Sequence, residues 1–229
     1  MARKRAKIVI VEGPSDDTAL SVYLSRYFDE KEIKFIELHS NVLAKEYKSP
    51  NNIITDLNNI IDEFLENNRY IKLTYIDEIV QIVDTDGMFV EDSEVIYDKN
   101  AVPNRYTLNN IYTDNAERIR YLNKIKTRNL ENLLSKNDIV IRKYKIPYSV
   151  YYMSRNLEHV LHDRIDNVTD EEKEELSFQF ANKYSNVSDF VSYIKESSFS
   201  VNINYKDSWS FIKKDTNSLK RYSNICLIL

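Results

Sequence analysis

The period of apolar and polar positions along this chain switches repeatedly between that of a strand and that of a helix. Residues 7–12, Lys-Ile-Val-Ile-Val-Glu, form a short apolar run closed by an acid, as a buried strand does. Ser15 follows as a candidate N-cap with Asp16 and Asp17 in the first turn, and Leu20, Leu24 and Phe28 then recur along one helical face. A strand at 34–38, a helical stripe of Ile53, Leu57, Ile60, Ile61 and Phe64, and a third strand at 79–83 running into Asp84 repeat the cycle. A helix near 114–134 carries Ala116, Ile119, Leu122, Leu130, Leu133 and Leu134. Residues 150–153 read as a fourth strand, and Leu157, Val160 and Leu161 as the apolar face of a short helix after it. This alternation predicts an α/β fold, a parallel sheet with helices on both sides.

Past about residue 168 the pattern becomes helical. Thr169 and Glu172 have the spacing of a capping box, 188–197 and 207–214 read as short helices, and 225–229 as a final strand or buried tail. With no repeat and no low-complexity linker, the reading is one compact unit: an α/β domain over 5–168 and a helical C-terminal extension, 169–229, packed on it.

Composition narrows the setting. Hydrophobic residues make up 42% of the 229, enough for a packed core, and 30% are charged. No stretch approaches the roughly 20 apolar residues of a membrane span. The basic N-terminus runs straight into a strand without the apolar region of an export signal. The one cysteine, Cys226, excludes an internal disulfide and a cysteine-rich zinc site, and a cytoplasmic location is the expectation. A net charge of −4 argues against coating nucleic acid by bulk charge. Contact with nucleic acid would fall to local clusters: Arg118, Arg120, Lys124, Lys126 and Arg128; Arg142, Lys143 and Lys145; or Lys213, Lys214, Lys220 and Arg221. Each cluster taken alone reads first as a solvated face. Glycine is scarce: average usage would give ~16, and the chain has 2, Gly13 and Gly87. Both stand beside acids, where positive φ or close approach of a ligand is the usual reason to keep one.

Those acids are the candidate chemistry. Glu12 follows the first strand, Asp84 and Asp86 follow the third, and Glu158 lies just after the fourth. Open parallel sheets bind ligands outside the carboxyl ends of their strands, so acids distant in sequence can converge there. Oxygen-only donors suit Mg²⁺ or Mn²⁺, and such an ion can polarise a phosphodiester and activate water. Asp84 and Asp86 are two apart, which in an extended segment turns both side chains to one side. Asp16, four residues after Glu12, could support the ligands from the helix start. His159 and His162 could also touch one metal, but packing is the plainer reading.

The segment Ile8-Val9-Ile10-Val11-Glu12-Gly13-Pro14-Ser15-Asp16 resembles the first motif of the Toprim domain, and Ile82-Val83-Asp84-Thr85-Asp86-Gly87 its second. Residues 154–158, Ser-Arg-Asn-Leu-Glu, are similar to a later acidic motif of the overcoming-lysogenization-defect nucleases. The resemblance spans about residues 5–165 and implies a Toprim-like sheet. It assigns Glu12 as general acid/base or metal ligand, Asp84 and Asp86 as Mg²⁺ ligands, and Glu158 as a further ligand. Topoisomerase gate domains would not fit in this length, and one cysteine excludes the zinc modules of primases and recombination mediators. What remains resembles a stand-alone Toprim nuclease, like the nuclease partners of ATPases in anti-phage systems. No Walker A pattern is present, so ATP hydrolysis would belong to a separate protein. The partners expected are therefore nucleic acid and an ATPase, with a homo-oligomer left open. Lys214, Lys220 and Arg221 are candidates for holding phosphate.

Two other readings compete. Asp84-Thr85-Asp86-Gly87-Met88-Phe89 also resembles the opening motif of haloacid-dehalogenase phosphatases, with Asp84 as nucleophile and Asp86 as acid/base. That family normally begins with this motif, whereas some eighty residues precede it here. The second is a non-catalytic interaction subunit, with Trp209, Phe211 and Ile212 on a helical binding surface.

Overall fold

The computed structural model describes residues 5–12, 17–49, 51–184 and 186–229. Ser15 and Asp16, with Gly13, lie outside them. The fold is α/β with a mostly parallel five-stranded sheet flanked by helices. The chain divides into two compact units. One comprises the residues up to Ile82 and Arg128–Val150, the other Val83–Thr127 and Tyr151–Leu229.

The five-stranded sheet consists of β1 (Arg5–Val11), β2 (Ile33–His39), β3 (Ile76–Asp84), β7 (Asp138–Ile141) and β8 (Tyr144–Met153), and the last residues of β3 and β8 belong to the second unit. Their order is β2-β1-β3-β8-β7; β1 pairs parallel with both β2 and β3, and β7 pairs antiparallel with β8. Ile8, Val9 and Ile10 are fully buried, as a central parallel strand covered on both faces demands. Helix α1 (Asp17–Asp29) buries Leu20, Leu24 and Phe28, the expected face, and Tyr23 and Tyr27 with them. Helix α2 (Asn52–Asn67) buries Ile53, Leu57, Ile61 and Leu65. The buried Asn129, on helix α3 (Ala116–Leu134), donates to the carbonyls of Leu43 (2.8 Å) and Lys45 (2.9 Å), satisfying a loop that forms no ladder.

The fourth strand is longer than the apolar run at 150–153 indicated. It begins at Tyr144, with Ile141 opposite Tyr144 across the two-residue link Arg142-Lys143, where Arg142 takes φ +56°. The sequence pattern predicted neither β7 nor the small sheet of the second unit.

That second sheet has the order β4-β6-β5, from β4 (Val95–Tyr97), β5 (Arg105–Tyr106) and β6 (Ile111–Thr113). Val90, Val95, Ile111, Ala116 and Leu219 form its core. Helix α4 (Leu157–His162) follows β8, and helices α5 (Asp170–Lys183), α6 (Val187–Glu196) and α7 (Tyr205–Ile212) follow in turn. The capping box at Thr169 and Glu172 is formed at the start of α5. Aromatic rings join α5 to α6: Phe180 meets Tyr184, Tyr193 and Phe190 at centroid distances of 4.7, 5.7 and 6.3 Å. Trp209 lies edge-on to Tyr152 at 4.9 Å and is buried, so it is core and not a surface for a partner. Residues 225–229 are the buried-tail alternative: a 3₁₀ turn, Ile225–Ile228, with Ile225 and Cys226 buried. Asn224 ties this end down, accepting from the Tyr152 amide (2.8 Å) and donating to Ser208 Oγ (3.0 Å).

Candidate metal centre at the end of strand β3

Strand β3 ends at Asp84, and the chain then turns on residues whose backbone is held by hydrogen bonds. The Thr85 amide donates to the Met153 carbonyl (3.0 Å), the Asp86 amide to the Arg155 carbonyl (2.9 Å), and the Met88 amide to the Thr85 carbonyl (2.7 Å). Thr85 is completely buried; its hydroxyl donates to the Ser218 carbonyl (3.1 Å) and accepts from the Arg155 amide (2.9 Å). The residue between the two acids is therefore a fixed post, and the acids on either side of it are half-buried.

Asp86 takes φ +46° and Gly87 φ +71°. Strict strand alternation thus stops at Thr85, and the expectation that Asp84 and Asp86 share a side as members of one extended segment does not hold. Aspartate is among the few side chains that tolerate the left-handed region, and glycine adopts it freely. Gly87 is needed for space as well: a Cβ there would stand 2.5 Å from Leu219 Cδ2 and 2.9 Å from Ile111 Cδ1, both in fully buried side chains. Gly87→Ala is expected to cost roughly 2–4 kcal/mol from left-handed strain and overpacking together, measurable as a lowered urea midpoint.

The Asp86 carboxylate is ion-paired through Oδ2 with Lys126 Nζ on α3, whose side chain is 13% exposed against 35% for Asp86. A carboxylate offers about four lone-pair sites, so one ammonium does not exhaust its capacity for a cation. Arg155 stands next to this turn at φ +57°, a left-handed conformation that costs a non-glycine residue about 1–3 kcal/mol. Its guanidinium lies over the Tyr106 ring at 4.6 Å. Burial, with the Asp86 charge as the next cause, raises the Tyr106 phenol above its ordinary pKa and keeps it protonated.

The other predicted residues are distributed as follows. Glu12 is half-buried immediately after β1. Asp16 lies outside the described residues. Glu158 is buried in α4, with Lys173 Nζ 3.4 Å away. Lys214 is exposed, and Lys220 Nζ reaches Asn217 Oδ1 at 3.5 Å. Arg221 is engaged within the fold: Nε donates to the Val160 carbonyl (2.8 Å), one terminal nitrogen to Tyr193 Oη (3.3 Å), and the other pairs with Asp163 (3.3 Å). His159 is buried, and burial followed by the Arg155 charge brings its pKa down to about 4. His162 meets the Phe180 ring edge-on at 5.4 Å, as a packing residue does.

Among the described residues no three His, Cys, Asp or Glu side chains are gathered as a ready metal cage. Mg²⁺ characteristically takes one or two carboxylates and completes its shell with water and substrate phosphate, so the oxygen donors of Asp84 and Asp86 fit it by type. Sequence reasoning missed Thr85, Lys126, Tyr106 and Arg155 as parts of this centre. Only Lys126 gave a signal, as a member of a basic cluster. Clefts of about 480 and 720 Å³ open in the first unit, lined by Arg5, Lys34 and Tyr70 and by Arg69, Lys72 and Arg142. The former flanks Arg5 and Ile33, where β1 and β2 begin, the end of a parallel sheet away from its usual ligand sites. Comparison with family models, with curated proteins and with solved structures finds no match to this chain.

Proposed function

We propose that this chain is an Mg²⁺- or Mn²⁺-dependent endonuclease of Toprim type. In this reading Asp84, Asp86 and Glu12 hold the cation, Asp16 and Glu158 support it, and the chain is the effector of an anti-phage system alongside a separate ATPase. The observation that carries the reading is the acidic turn at the end of β3, anchored through buried Thr85 and bent by Asp86 and Gly87. A pinned backbone costs little reorganisation when a charged substrate arrives, and preorganisation of this kind is the main source of electrostatic catalysis. The ion, when bound, would polarise a phosphodiester and lower the pKa of its water. Lys126 keeps a positive charge at the turn, compensating Asp86 and able to oppose charge that builds on a phosphate. Asp84 supplies a second carboxylate at the strand end.

The test is cleavage of supercoiled plasmid, a single-stranded oligonucleotide and tRNA with Mg²⁺, with Mn²⁺ and with EDTA, beside hydrolysis of p-nitrophenyl phosphate. Metal-dependent cutting of a nucleic acid supports the reading. Turnover of the phosphomonoester alone would replace it with the phosphatase, and metal binding with no turnover of any substrate, with or without the ATPase, would replace it with the interaction subunit.

A further inference from the structure

The second unit has a half-open pocket of about 260 Å³ whose lining includes Asn100, Pro103, Arg105, Tyr106, Arg155 and Asp166. Arg155 is only 2% exposed. Its guanidinium has five N–H donors; one nitrogen donates to the Ile165 carbonyl and the planar face covers Tyr106. Among the described residues no carboxylate lies within ion-pair distance of it. The charges of Asp86, Asp166 and Glu158 act on it from beyond that distance, and burial outweighs them; a buried guanidinium without a carboxylate in contact gains from a direct anion contact.

Arg105 lines the same pocket from β5. Its plane is set on the Tyr112 ring at 3.9 Å, and it has an exposed ion pair with Asp98 at 3.5 Å, an interaction weak enough to be exchanged. Two arginines thus face one small space, each held by an aromatic ring, and a guanidinium fork matches the oxygens of a phosphate in a bidentate way. Asp166 offers an acceptor to a sugar hydroxyl. The volume is below the ~300–1,000 Å³ of clefts that enclose drug-sized ligands, which suits a phosphate with part of its sugar.

We propose that this pocket binds a backbone phosphate of a nucleic-acid strand through Arg155 and Arg105. What the anion belongs to rests on the nuclease reading. Arg155 makes the connection to the acidic turn through its own backbone: its carbonyl holds the Asp86 amide, and its amide holds Thr85 Oγ1. One residue therefore sets the captured phosphate in register with the acids of β3.

The experiment is fluorescence anisotropy of labelled oligothymidylate and oligouridylate in EDTA across a salt series, with wild type, Arg105→Gln and Arg155→Gly. Glycine accepts the left-handed backbone of position 155, so the two backbone hydrogen bonds can persist without the guanidinium; far-ultraviolet circular dichroism checks that it folds. Arg105→Gln, at an exposed side chain, does not put the fold at risk. Each substitution is expected to weaken binding about tenfold, as loss of one charged hydrogen-bonded contact does. Each should also reduce the slope of log affinity against log salt by about 0.7, the value for one phosphate on a single strand. Unchanged affinity and slope in both variants would overturn the proposal. So would inorganic phosphate binding to wild type by calorimetry while neither oligonucleotide binds. Since no divalent ion is present, a chain that shows the expected slopes yet never cuts would refute the nuclease reading and uphold the pocket.

Discussion

Asp84→Asn is expected to lower metal-dependent cleavage by roughly 10²–10³-fold, because a metal centre contributes several kcal/mol to the transition state and each ~1.4 kcal/mol is a factor of ten. The substitution keeps the shape of the side chain and removes only its charge. Asp84 is half-buried at the end of β3, and the backbone beyond it is anchored by Thr85, so the fold should not change. Single-turnover cleavage at saturating substrate reads the loss, and a melting curve superimposable on wild type shows that it is chemical. Asp86→Asn should lower cleavage as well. It also breaks the pair with Lys126, and a pair whose carboxylate is 35% exposed contributes within about 1 kcal/mol. Cleavage by Asp84→Asn within threefold of wild type, at any pH with saturating Mg²⁺, would remove Asp84 from the reaction.

The largest effect on stability is expected from Phe190→Ala, a loss of about 3–5 kcal/mol. Phe190 is completely buried on α6 and its ring stands 6.3 Å from Phe180 on α5. Phe180 in turn meets Tyr184 and Tyr193, and Tyr193 meets Phe199 at 5.4 Å. Alanine would leave a cavity among rings that are already mutually fixed and cannot collapse into it. Urea unfolding followed by tyrosine fluorescence should show the lowered midpoint. A change below about 1 kcal/mol would mean that this cluster does not hold α5 and α6 together.

The sheet centre could be read from the sequence because its strands are covered on both faces. Ile8-Val9-Ile10 and Ile79-Val80 are unbroken apolar runs, and the α2 stripe is nearly ideal. The β7–β8 hairpin could not. Its turn uses Arg142 at φ +56° where Asn-Gly or Asp-Gly is the usual signal, and Pro147, inside β8, interrupts a strand pattern. Strands β4 to β6 are two or three residues long, too short for a period to register. At the candidate centre, Asp84, Asp86 and Gly87 stood out by type and spacing. Lys126 reaches Asp86 from 40 positions away and Arg155 reaches Thr85 from 70, and no local pattern announces such contacts. Nor does sequence show that Arg221, a basic residue offered for phosphate, is tied to Val160, Tyr193 and Asp163.

Binding of Mn²⁺ followed by electron paramagnetic resonance, in wild type, Glu12→Gln, Asp84→Asn and Asp86→Asn, tests most directly whether these acids serve one cation. The account predicts a bound ion in wild type, displaced by Mg²⁺, with affinity reduced at least about tenfold in each variant; even outlying partners of a metal site typically cost 10–100-fold. Wild-type affinity in Glu12→Gln together with Asp84→Asn would contradict it.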